Sequence, residues 1–317
     1  MEKKKLYIGF ITYSKEAMAY LPYFLDSLFN QNITNFETLA VDGNEDGTDR
    51  NIKLLNKYPQ IKIISKGKNL GFGKSFNLMI NDAQKNGAEY FMVLNPDTIL
   101  ESDCVNNLLT AIKNDNNLAS VSPKIYKWNF VPDKSNEKTN IIDSFGIVLK
   151  TGLRFFDLGQ GQIDHGQYEN AKIFGPSGAA AMYRMSALEK VKFNNQYFDE
   201  LMFMYKEDCD LAYRLFLAGY SSALVTTAKM YHDRTVSGKG DGNILIALNR
   251  RNKSRKAKKW SLFHQLIIIK KYWRLQNTIN KISILKHVFL MFIFSLIFEQ
   301  YLLIYFFKIF RTKVNKY

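Results

Sequence analysis

Cysteine is scarce in this sequence. Only Cys104 and Cys209 occur among 317 residues, without the paired spacing of a zinc finger or a redox motif. This scarcity argues against a disulfide framework and favours a reducing compartment. The N-terminal stretch MEKKKLYIGF also lacks an apolar run long enough for a signal peptide, so we expect a cytosolic body.

Acidic residues are almost missing from the last quarter of the chain. Residues 244–317 carry 16 Lys and Arg but one acidic residue, Glu299, whereas residues 1–243 carry 28 basic and 28 acidic residues. The net charge of +15 therefore belongs to the C-terminal part. A neutral body with a basic tail favours an electrostatic membrane anchor over a nucleic-acid-binding protein, which would be basic throughout. We predict a catalytic domain over residues 1–243 and basic, apolar membrane-association helices over 244–317.

Strand and helix patterns alternate through the first hundred residues. Short apolar runs predict four strands, at Leu6–Thr12, Phe36–Val41, Ile61–Ser65 and Tyr90–Leu94, separated by segments of helical length. One of these predicted helices runs from about Lys74 to Asn86. Much later in the chain, Ser222–Thr227 is predicted as another strand. The pattern predicts an α/β fold with a mostly parallel sheet and flanking helices. Residues 126–170 are polar and weakly periodic, and predict an extended β excursion or a flap on the acceptor side.

Polar side chains follow three of the predicted strands. They are Tyr13, Asp42 and the Asn95-Pro96-Asp97 turn. Ligands of open α/β sheets bind outside the carboxyl ends of the strands, so this polar rim is the expected binding site.

The Asn95-Pro96-Asp97 turn is the candidate metal site. A carboxylate at the end of a buried strand suits Mg²⁺ or Mn²⁺, which completes its shell with substrate phosphates. A plain strand-exit turn would use the same residue types, and the turn alone leaves both readings open. Similarly, Asp42 suits hydrogen bonds from a base or a ribose but also a solvated turn.

Two further segments carry candidate residues. The glycine turn from Asn69 to Gly73 opens a helix whose N-terminus would favour negative charge, although it lacks the spacing of a phosphate loop. Glu207 and Asp208 crowd together at a later predicted helix start. There a carboxylate is placed to take a proton from a substrate hydroxyl, while Asp210 is expected to pair with Arg214. His232 is either structural, or a metal ligand beside Asp97, or a contact to a diphosphate.

Taken in order, these motifs resemble the GT-A family of inverting glycosyltransferases, of the family 2 type, from residue 5 to about 240. Within that family the chain is most similar to bacterial rhamnosyltransferases of cell-wall, O-antigen and capsule synthesis. The segments that carry the resemblance are Ile11-Thr12-Tyr13, Val41-Asp42, Asn69 to Gly73 with Asn77, Leu94 to Asp97, Gly175 to Arg184, Phe203 to Leu215 and Tyr231-His232.

The resemblance implies a role for each matching position. Asp208 would be the catalytic base, and Asp97 would bind Mg²⁺ or Mn²⁺ with His232 as a second ligand. Asp42 would contact the pyrimidine base. The other residues implied to bind the nucleotide sugar are Thr12, Tyr13, Asn69, Gly71, Asn77, Asn95, Ser177, Gly178 and Glu207. Asn95 stands where the family usually has the first carboxylate of Asp-x-Asp, which leaves one carboxylate fewer for the cation.

The expected partners follow from this reading. They are dTDP-L-rhamnose or a UDP-hexose as donor, a polyprenyl-diphosphate-linked or cell-surface glycan as acceptor, and an anionic membrane surface. The sequence leaves open whether two copies pair into a homodimer. Two other classes remain, a nucleotidyltransferase and a non-catalytic membrane-bound scaffold. The first usually has a phosphate loop that Ile11–Glu16 lacks, and the second would not need Glu207-Asp208 beside Asn95-Pro96-Asp97.

The C-terminal part predicts association with the cytoplasmic face of the membrane. Seven of the ten residues Arg250–Lys259 are basic, and each Lys or Arg near an anionic leaflet contributes about 1 kcal/mol. The twenty residues Val288–Phe307 are long enough to span a bilayer. Glu299-Gln300 in their middle, together with the aromatic content and basic flanks, favours an interfacial or re-entrant helix pair as much as a span.

Overall fold

The computed structural model describes residues 4–13, 17–131, 135–234, 250 and 253–314. Twelve strands lie in these ranges: β1 Leu6–Thr12, β2 Phe36–Asp42, β3 Ile61–Ser65, β4 Tyr90–Leu94, β5 Thr98–Leu100, β6 Leu118–Val131, β7 Ser135–Ser144, β8 Ile147–Lys150, β9 Arg154–Asp157, β10 Lys172–Ile173, β11 Ala180–Arg184 and β12 Ser221–His232.

Nine α-helices accompany the strands within the described residues. They are α1 Ala17–Phe29, α2 Arg50–Leu55, α3 Gly71–Lys85, α4 Cys104–Asn114, α5 Met185–Val191, α6 Glu207–Leu217, α7 Arg255–Tyr272, α8 Thr278–Phe298 and α9 Leu303–Arg311. Two 3₁₀ turns, Trp273–Leu275 and Gln300–Leu302, join the last three helices.

A ten-stranded sheet forms the centre of the molecule, in the order β10-β12-β6-β11-β4-β1-β2-β3, with β5 on β12 and β7 on β6. Strands β3, β2, β1 and β4 are parallel neighbours. The predicted α/β fold with a mostly parallel central sheet is confirmed. Beyond β4 the sheet becomes mixed, because β11 inserts antiparallel between β4 and β6.

Both faces of the sheet are covered by apolar side chains. On one face α1 and α4 contribute Phe24, Leu25 and Leu108 to the core, and on the other α3 and α6 contribute Phe76 and Leu211. Continuous apolar runs such as those of β1 and β4 are typical of strands buried on both faces. All five residues of β4 are buried.

The predicted element boundaries differ from the structure mainly at two places. Helix α3 begins at Gly71 rather than Lys74, because the side chain of Asn69 accepts a hydrogen bond from Gly71 N at 3.0 Å and starts the helix earlier. The predicted strand Ser222–Thr227 is longer, since β12 continues to His232 beside β5 and β6.

The weakly periodic segment 126–170 is a β excursion. Strand β7 pairs antiparallel with β6, and β8 and β9 form a separate two-stranded sheet. The excursion folds back toward the polar rim and places Asp143 of β7 close to β12.

A third apolar cluster joins the C-terminal helices to the body. Residues of α7, including Leu266 and Tyr272, pack with Tyr213 of α6 and Phe155 of β9. The predicted domain boundary at residue 243 lies among residues 235–249, outside the described residues, so the division into two domains stays a prediction.

Candidate functional site

The carboxyl ends of β1 and β2 hold Asp42 in a fixed position. Thr12 lies opposite Asp42 in the strand register and donates a hydrogen bond from Oγ1 to Asp42 Oδ1 at 2.7 Å. Asn51 of α2 donates to the same oxygen at 3.0 Å. Asp42 is only 2% exposed, so the plain solvated turn is not what the structure contains. A carboxylate held in this way is preorganised to accept hydrogen bonds from a base.

Tyr13 and the glycine turn flank this carboxylate. A Cβ at Gly43 would lie 3.4 Å from Asn69 Cα and 3.5 Å from the ring of Tyr13, so the three residues are immediate neighbours. The Tyr13 side chain is half exposed and offers a ring face at the rim. The structure thus brings Thr12, Tyr13, Asp42 and Asn69 together.

The start of α3 presses on the loop that precedes α6. Gly71 has a φ of +75°, and a Cβ there would lie 2.5 Å from the carbonyl oxygen of Phe203. Phe72 N donates to that oxygen at 2.9 Å. Glycine is therefore required for this close approach.

The side chain of Asn77 forms hydrogen bonds within the protein. Its Oδ1 accepts hydrogen bonds from Tyr197 N and Phe198 N, and its Nδ2 donates to Phe198 O and to Glu200. It is buried, so the structure gives it a role in holding residues 197–200. A direct contact of Asn77 with the nucleotide sugar stays a prediction from the resemblance.

Asp208 lies against the small-residue segment that leads into β11. Gly178 N donates to Asp208 Oδ2 at 3.0 Å, and Cys209 N donates to Oδ1 at 2.7 Å. A Cβ at Gly178 would lie 3.3 Å from Oδ2, so a larger residue would push the carboxylate away. Buried Ser177 steadies the segment, with its Oγ accepting from Ala179 N at 3.4 Å.

Burial raises the pKa of Asp208 above its ordinary value, although the hydrogen bonds from Gly178 and Cys209 act in the opposite direction. A carboxylate with a raised pKa binds a proton more readily than an ordinary aspartate does. That property suits a general base.

Glu207 is a buried carboxyl group of the site. It is 4% exposed, and within the described residues its Oε2 has no hydrogen-bond partner. Burial, and then repulsion from Asp208, raises its pKa well above the ordinary range. Tyr205 and Lys206 before it are both left-handed, with φ of 72° and 76°. Left-handed non-glycine residues persist only where surrounding contacts hold them, and they cluster at functional sites.

On the other side of the rim, His232 lies between two carboxylates. Its Nε2 is 3.3 Å from Asp97 Oδ1, and its Nδ1 is 2.8 Å from Asp143 Oδ2. Burial would lower the pKa of His232, but Asp97 and Asp143 outweigh it and raise the pKa to about 10. The structure therefore brings together the two residues predicted for the metal, Asp97 and His232.

Asn95 connects the two halves of the site. Its backbone N–H donates a hydrogen bond at 2.9 Å to the carbonyl oxygen of Ala179, the residue that follows Gly178. Its own carbonyl oxygen accepts a hydrogen bond from Thr98 Oγ1. The end of β4, which carries Asp97, thus adjoins the segment that holds Asp208.

Three residues of the site were missed by sequence reasoning: Asp143, Asp157 and Arg234. Arg234 lies 3.3 Å from Asp143 and 2.9 Å from Asp157, and Asp157 is close enough to Asp208 to raise its pKa slightly. The only signal was the position of Arg234 in the Tyr-His-Asp-Arg run. Asp143 and Asp157 lie in the β excursion, whose pattern gives no hint of its position in the fold.

The residues present fit a divalent cation at Asp97 in a limited way. Asp97 supplies one carboxylate. His232 supplies a ring nitrogen whose partner nitrogen contacts Asp143, the usual arrangement around a metal-binding histidine. No group of three or more His, Cys, Asp or Glu with ligand geometry occurs in the part of the chain that the structure describes. A bound Mg²⁺ or Mn²⁺ would therefore depend on substrate oxygens to complete its shell.

Comparisons with known proteins agree with this architecture. The chain is 27% identical over 213 residues to an N-acetylglucosaminyl-diphospho-decaprenol L-rhamnosyltransferase of Mycobacterium tuberculosis, an alignment that covers 63% of this chain and 66% of the relative. The chain thus spans just under two thirds of that relative's length.

Solved structures share the fold at low sequence identity. TarS of S. aureus, residues 1–349, superposes with a TM-score of 0.52 at 16% identity, covering 84% of this chain and 64% of TarS. GalNAc-T7, solved with UDP, GalNAc and Mn²⁺, gives a TM-score of 0.59 at 11% identity, with 85% of this chain and 49% of that chain covered. The family model described as glycosyl transferase family 2 matches residues 8–192. Since that match covers more than half of the sequence, the chain belongs to glycosyl transferase family 2.

Proposed function

We propose that this protein is an inverting glycosyltransferase that transfers L-rhamnose from dTDP-L-rhamnose to a lipid-linked or cell-surface polysaccharide acceptor. The observation that carries the proposal is the environment of Asp208. It is a carboxylate with a raised pKa, fixed by two backbone N–H groups in a glycine-lined recess, on the same rim as Asp42 and Asp97. Family membership and the rhamnosyltransferase relative support the class of reaction.

The reaction is a single in-line displacement. Asp208 takes the proton of the acceptor hydroxyl while that oxygen forms a bond to the anomeric carbon. The bond from the anomeric carbon to the diphosphate oxygen breaks, and its electron pair leaves with the nucleoside diphosphate. Attack from the opposite face inverts the anomeric configuration.

The remaining rim residues bind and orient the donor. Asp42, fixed by Thr12 and Asn51, accepts hydrogen bonds from the pyrimidine base. GT-A enzymes commonly use a divalent metal, and here Asp97 with His232 would hold it. When bound, the cation offsets the charge that develops on the departing diphosphate.

The rhamnose donor rests on the relative, whose name states rhamnosyl transfer to a decaprenyl-diphosphate-linked acceptor. A UDP-hexose is the alternative donor for the same site. One assay separates the two: purified protein, lipid extract from envelope membranes and Mg²⁺ or Mn²⁺, with dTDP-L-rhamnose compared against a panel of UDP-sugars. We expect acceptor-dependent release of dTDP.

The matched variant for this assay is Asp208→Asn, which keeps the shape and one hydrogen-bond acceptor but removes the base. We expect turnover to fall by at least 100-fold, the lower end of what a positioned base contributes, about 10² to 10⁴. The folding control is an unchanged melting temperature. Near-normal turnover in a folded Asp208→Asn protein would contradict the assigned base. Turnover only with a UDP-sugar would replace the donor, and none with any donor would favour a scaffold.

The C-terminal helices would place the enzyme on the cytoplasmic face of the membrane. Helix α8 is long and apolar enough to cross a bilayer, with a mean hydropathy of 1.9 over its most apolar window, of which 11% is buried. One such helix is weak evidence for a span. Ile282, Leu285, Phe289 and Leu296 form an exposed stripe along it, at helical spacing.

The contacts of α8 favour an interfacial position over a span. Glu299, at the C-terminal end of α8, pairs with Arg250 at 2.6 Å and with Lys258 of α7 at 3.1 Å. The N-terminal end of α8 follows α7 through a single 3₁₀ turn. The N-terminal end of α7 therefore lies near the C-terminal end of α8, and the C-terminal end of α7 lies near the N-terminal end of α8. A spanning α8 would draw the basic α7 into the hydrocarbon, which is costly.

A further inference from the structure

Helix α7 contacts the loop that precedes the proposed base, although it lies some fifty residues further along the chain. His264 of α7 is 2% exposed, and its Nδ1 lies 2.9 Å from the carbonyl oxygen of Tyr205. A carbonyl can only accept, so Nδ1 is the protonated nitrogen and donates this bond. Trp260, one helical turn earlier, stacks on the ring of Phe203 at 5.1 Å with an interplanar angle of 24°.

The loop 203–206 is thus clamped from two sides. On one side are Trp260 and His264 of α7, and on the other the start of α3, where Phe72 N donates to Phe203 O at 2.9 Å. The clamp holds the two consecutive left-handed residues, Tyr205 and Lys206, that turn the chain into α6. Each such residue costs of order 1 kcal/mol or more, so the turn depends on contacts that maintain it.

The same turn decides where Asp208 points. Asp208 is the second residue of α6, two positions after Lys206, and its Oδ2 must remain 3.0 Å from Gly178 N. If the turn relaxed toward right-handed φ, the first turn of α6 would rotate and the carboxylate would leave its recess.

We propose that His264 is a positioning residue for catalysis: by holding the Tyr205 carbonyl it maintains the left-handed turn that aims Asp208 at the acceptor hydroxyl. The inference deepens the proposed function and rests on it for the identity of the base. It gives helix α7 a part in the active site, although every proposed ligand of the nucleotide sugar lies before it in the chain.

The test compares His264→Leu with His264→Asn. Leucine removes the donor and leaves the Tyr205 carbonyl unpaired, whereas the amide nitrogen of asparagine lies close to where Nδ1 lies. Displacement of a catalytic group by about 1 Å can cost about 100-fold in rate. We expect His264→Leu to lower kcat by about 10- to 100-fold with an unchanged KM for the nucleotide sugar, and His264→Asn to recover most of kcat.

Gln265→Leu is the matched control. Gln265 is the next residue on α7, is 5% exposed, and donates to Leu153 O at 2.8 Å, away from the loop. We expect a comparable loss of melting temperature with little change in kcat. Equal loss of kcat in both leucine variants would overturn the proposal, because general destabilisation would then explain it.

Hydrogen–deuterium exchange provides a readout that does not depend on turnover. We expect peptides covering residues 203–209 to exchange faster in His264→Leu than in wild type, and at the wild-type rate in His264→Asn and Gln265→Leu. Unchanged exchange in His264→Leu would overturn the clamp whatever the activity. If wild type lacked transferase activity while the exchange pattern held, the proposed function would fail and the clamp would stand.

Discussion

At the scale of single residues, the site contains carboxyl groups whose environments differ sharply. Asp208 accepts two backbone hydrogen bonds, whereas its neighbour Glu207 is buried and its Oε2 has no hydrogen-bond partner among the residues that the structure describes. Asp42 accepts from Thr12 and Asn51, and Asp97 lies beside His232. Environment, rather than residue type, therefore distinguishes the proposed base from the groups that bind.

Glu207→Gln should stabilise the protein at neutral pH. Burial raises the pKa of Glu207 well above its ordinary value, so the folded state keeps a proton that the unfolded state has lost. Below the pKa that Glu207 has in the unfolded state, this carboxyl does not lower the free energy of unfolding. As the pH rises from that value toward the pKa in the folded state, the free energy of unfolding falls progressively. Glutamine has no such dependence.

We expect the melting temperature of Glu207→Gln to exceed that of wild type at pH 8, and the difference to shrink toward pH 4. Thermal unfolding at several pH values measures it. Glu137→Gln, at an exposed carboxylate of β7, is the control and should show no such trend. A difference independent of pH would show that the ionisation of Glu207 is not the cause.

At the scale of elements, helix α7 is fastened to the body by a buried ionic cluster. Lys271 lies 2.8 Å from Asp199 and 2.5 Å from Asp210, and Asp210 also contacts Arg214 at 2.9 Å and the hydroxyl of Tyr272 at 2.8 Å. The predicted pair between Asp210 and Arg214 is present. Burial would raise the pKa of Asp210, but Arg214 and Lys271 outweigh it and lower the pKa.

Lys271→Met should destabilise the fold by about 3–5 kcal/mol, because removing one partner leaves buried charge uncompensated. Denaturant unfolding at pH 7 measures this. Lys270→Met is the control on the same helix. Among the described residues Lys270 donates to backbone carbonyls at the end of α9, which carry no net charge, so a smaller loss is expected.

The double variant Asp199→Asn/Lys271→Met should recover part of the stability, since it removes one of the two carboxylates facing the lost cation. If Lys271→Met cost no more than Lys270→Met, the cluster would not be what fastens α7.

At the scale of the whole molecule, the basic and apolar surfaces both belong to the C-terminal helices. Arg250 and Lys258 form ion pairs with Glu299, whereas Lys256 is exposed to solvent. The apolar stripe of α8 continues into Phe307 and Phe310 of α9, which are 65% and 79% exposed. Exposed apolar patches of this kind usually mark a partner or a membrane.

Replacing Ile282, Phe289 and Phe310 together by serine should move the protein from the membrane pellet to the supernatant at moderate salt. These side chains are well exposed, so folding should be retained, in contrast to deletion of residues 250–317, which would remove Lys271 from its buried cluster. Sedimentation with vesicles containing anionic lipid measures the binding.

Ile163→Ser, an exposed apolar residue of the β excursion, is the matched control and should leave binding unchanged. Undiminished pelleting of the triple variant would contradict the membrane surface on α8 and α9. Loss of a dimer without loss of vesicle binding would instead assign this face to a second copy of the chain.

The sequence by itself determined the parallel half of the sheet and its polar rim. Apolar runs and turn residues determine the conformation of a few neighbouring positions. The bounds of β1, β3 and β4 could therefore be predicted as they are observed. Because parallel strands end at one edge, Asp42 and Asp97 could also be placed on a common rim.

Only the tertiary structure decided which distant residues complete that rim. Asp143 lies 89 residues before His232, and His264 lies 59 residues after Tyr205. The local periodicity of the sequence does not predict such pairs, because they form only when the β excursion folds back on β12 and α7 packs on α6. The apolar run Val288–Phe307 likewise divides at Glu299, since Arg250 and Lys258 pair with that carboxylate and α8 ends there. Local conformation follows from neighbouring residues, whereas the position of the proposed base depends on burial and charge contributed by segments remote in the chain.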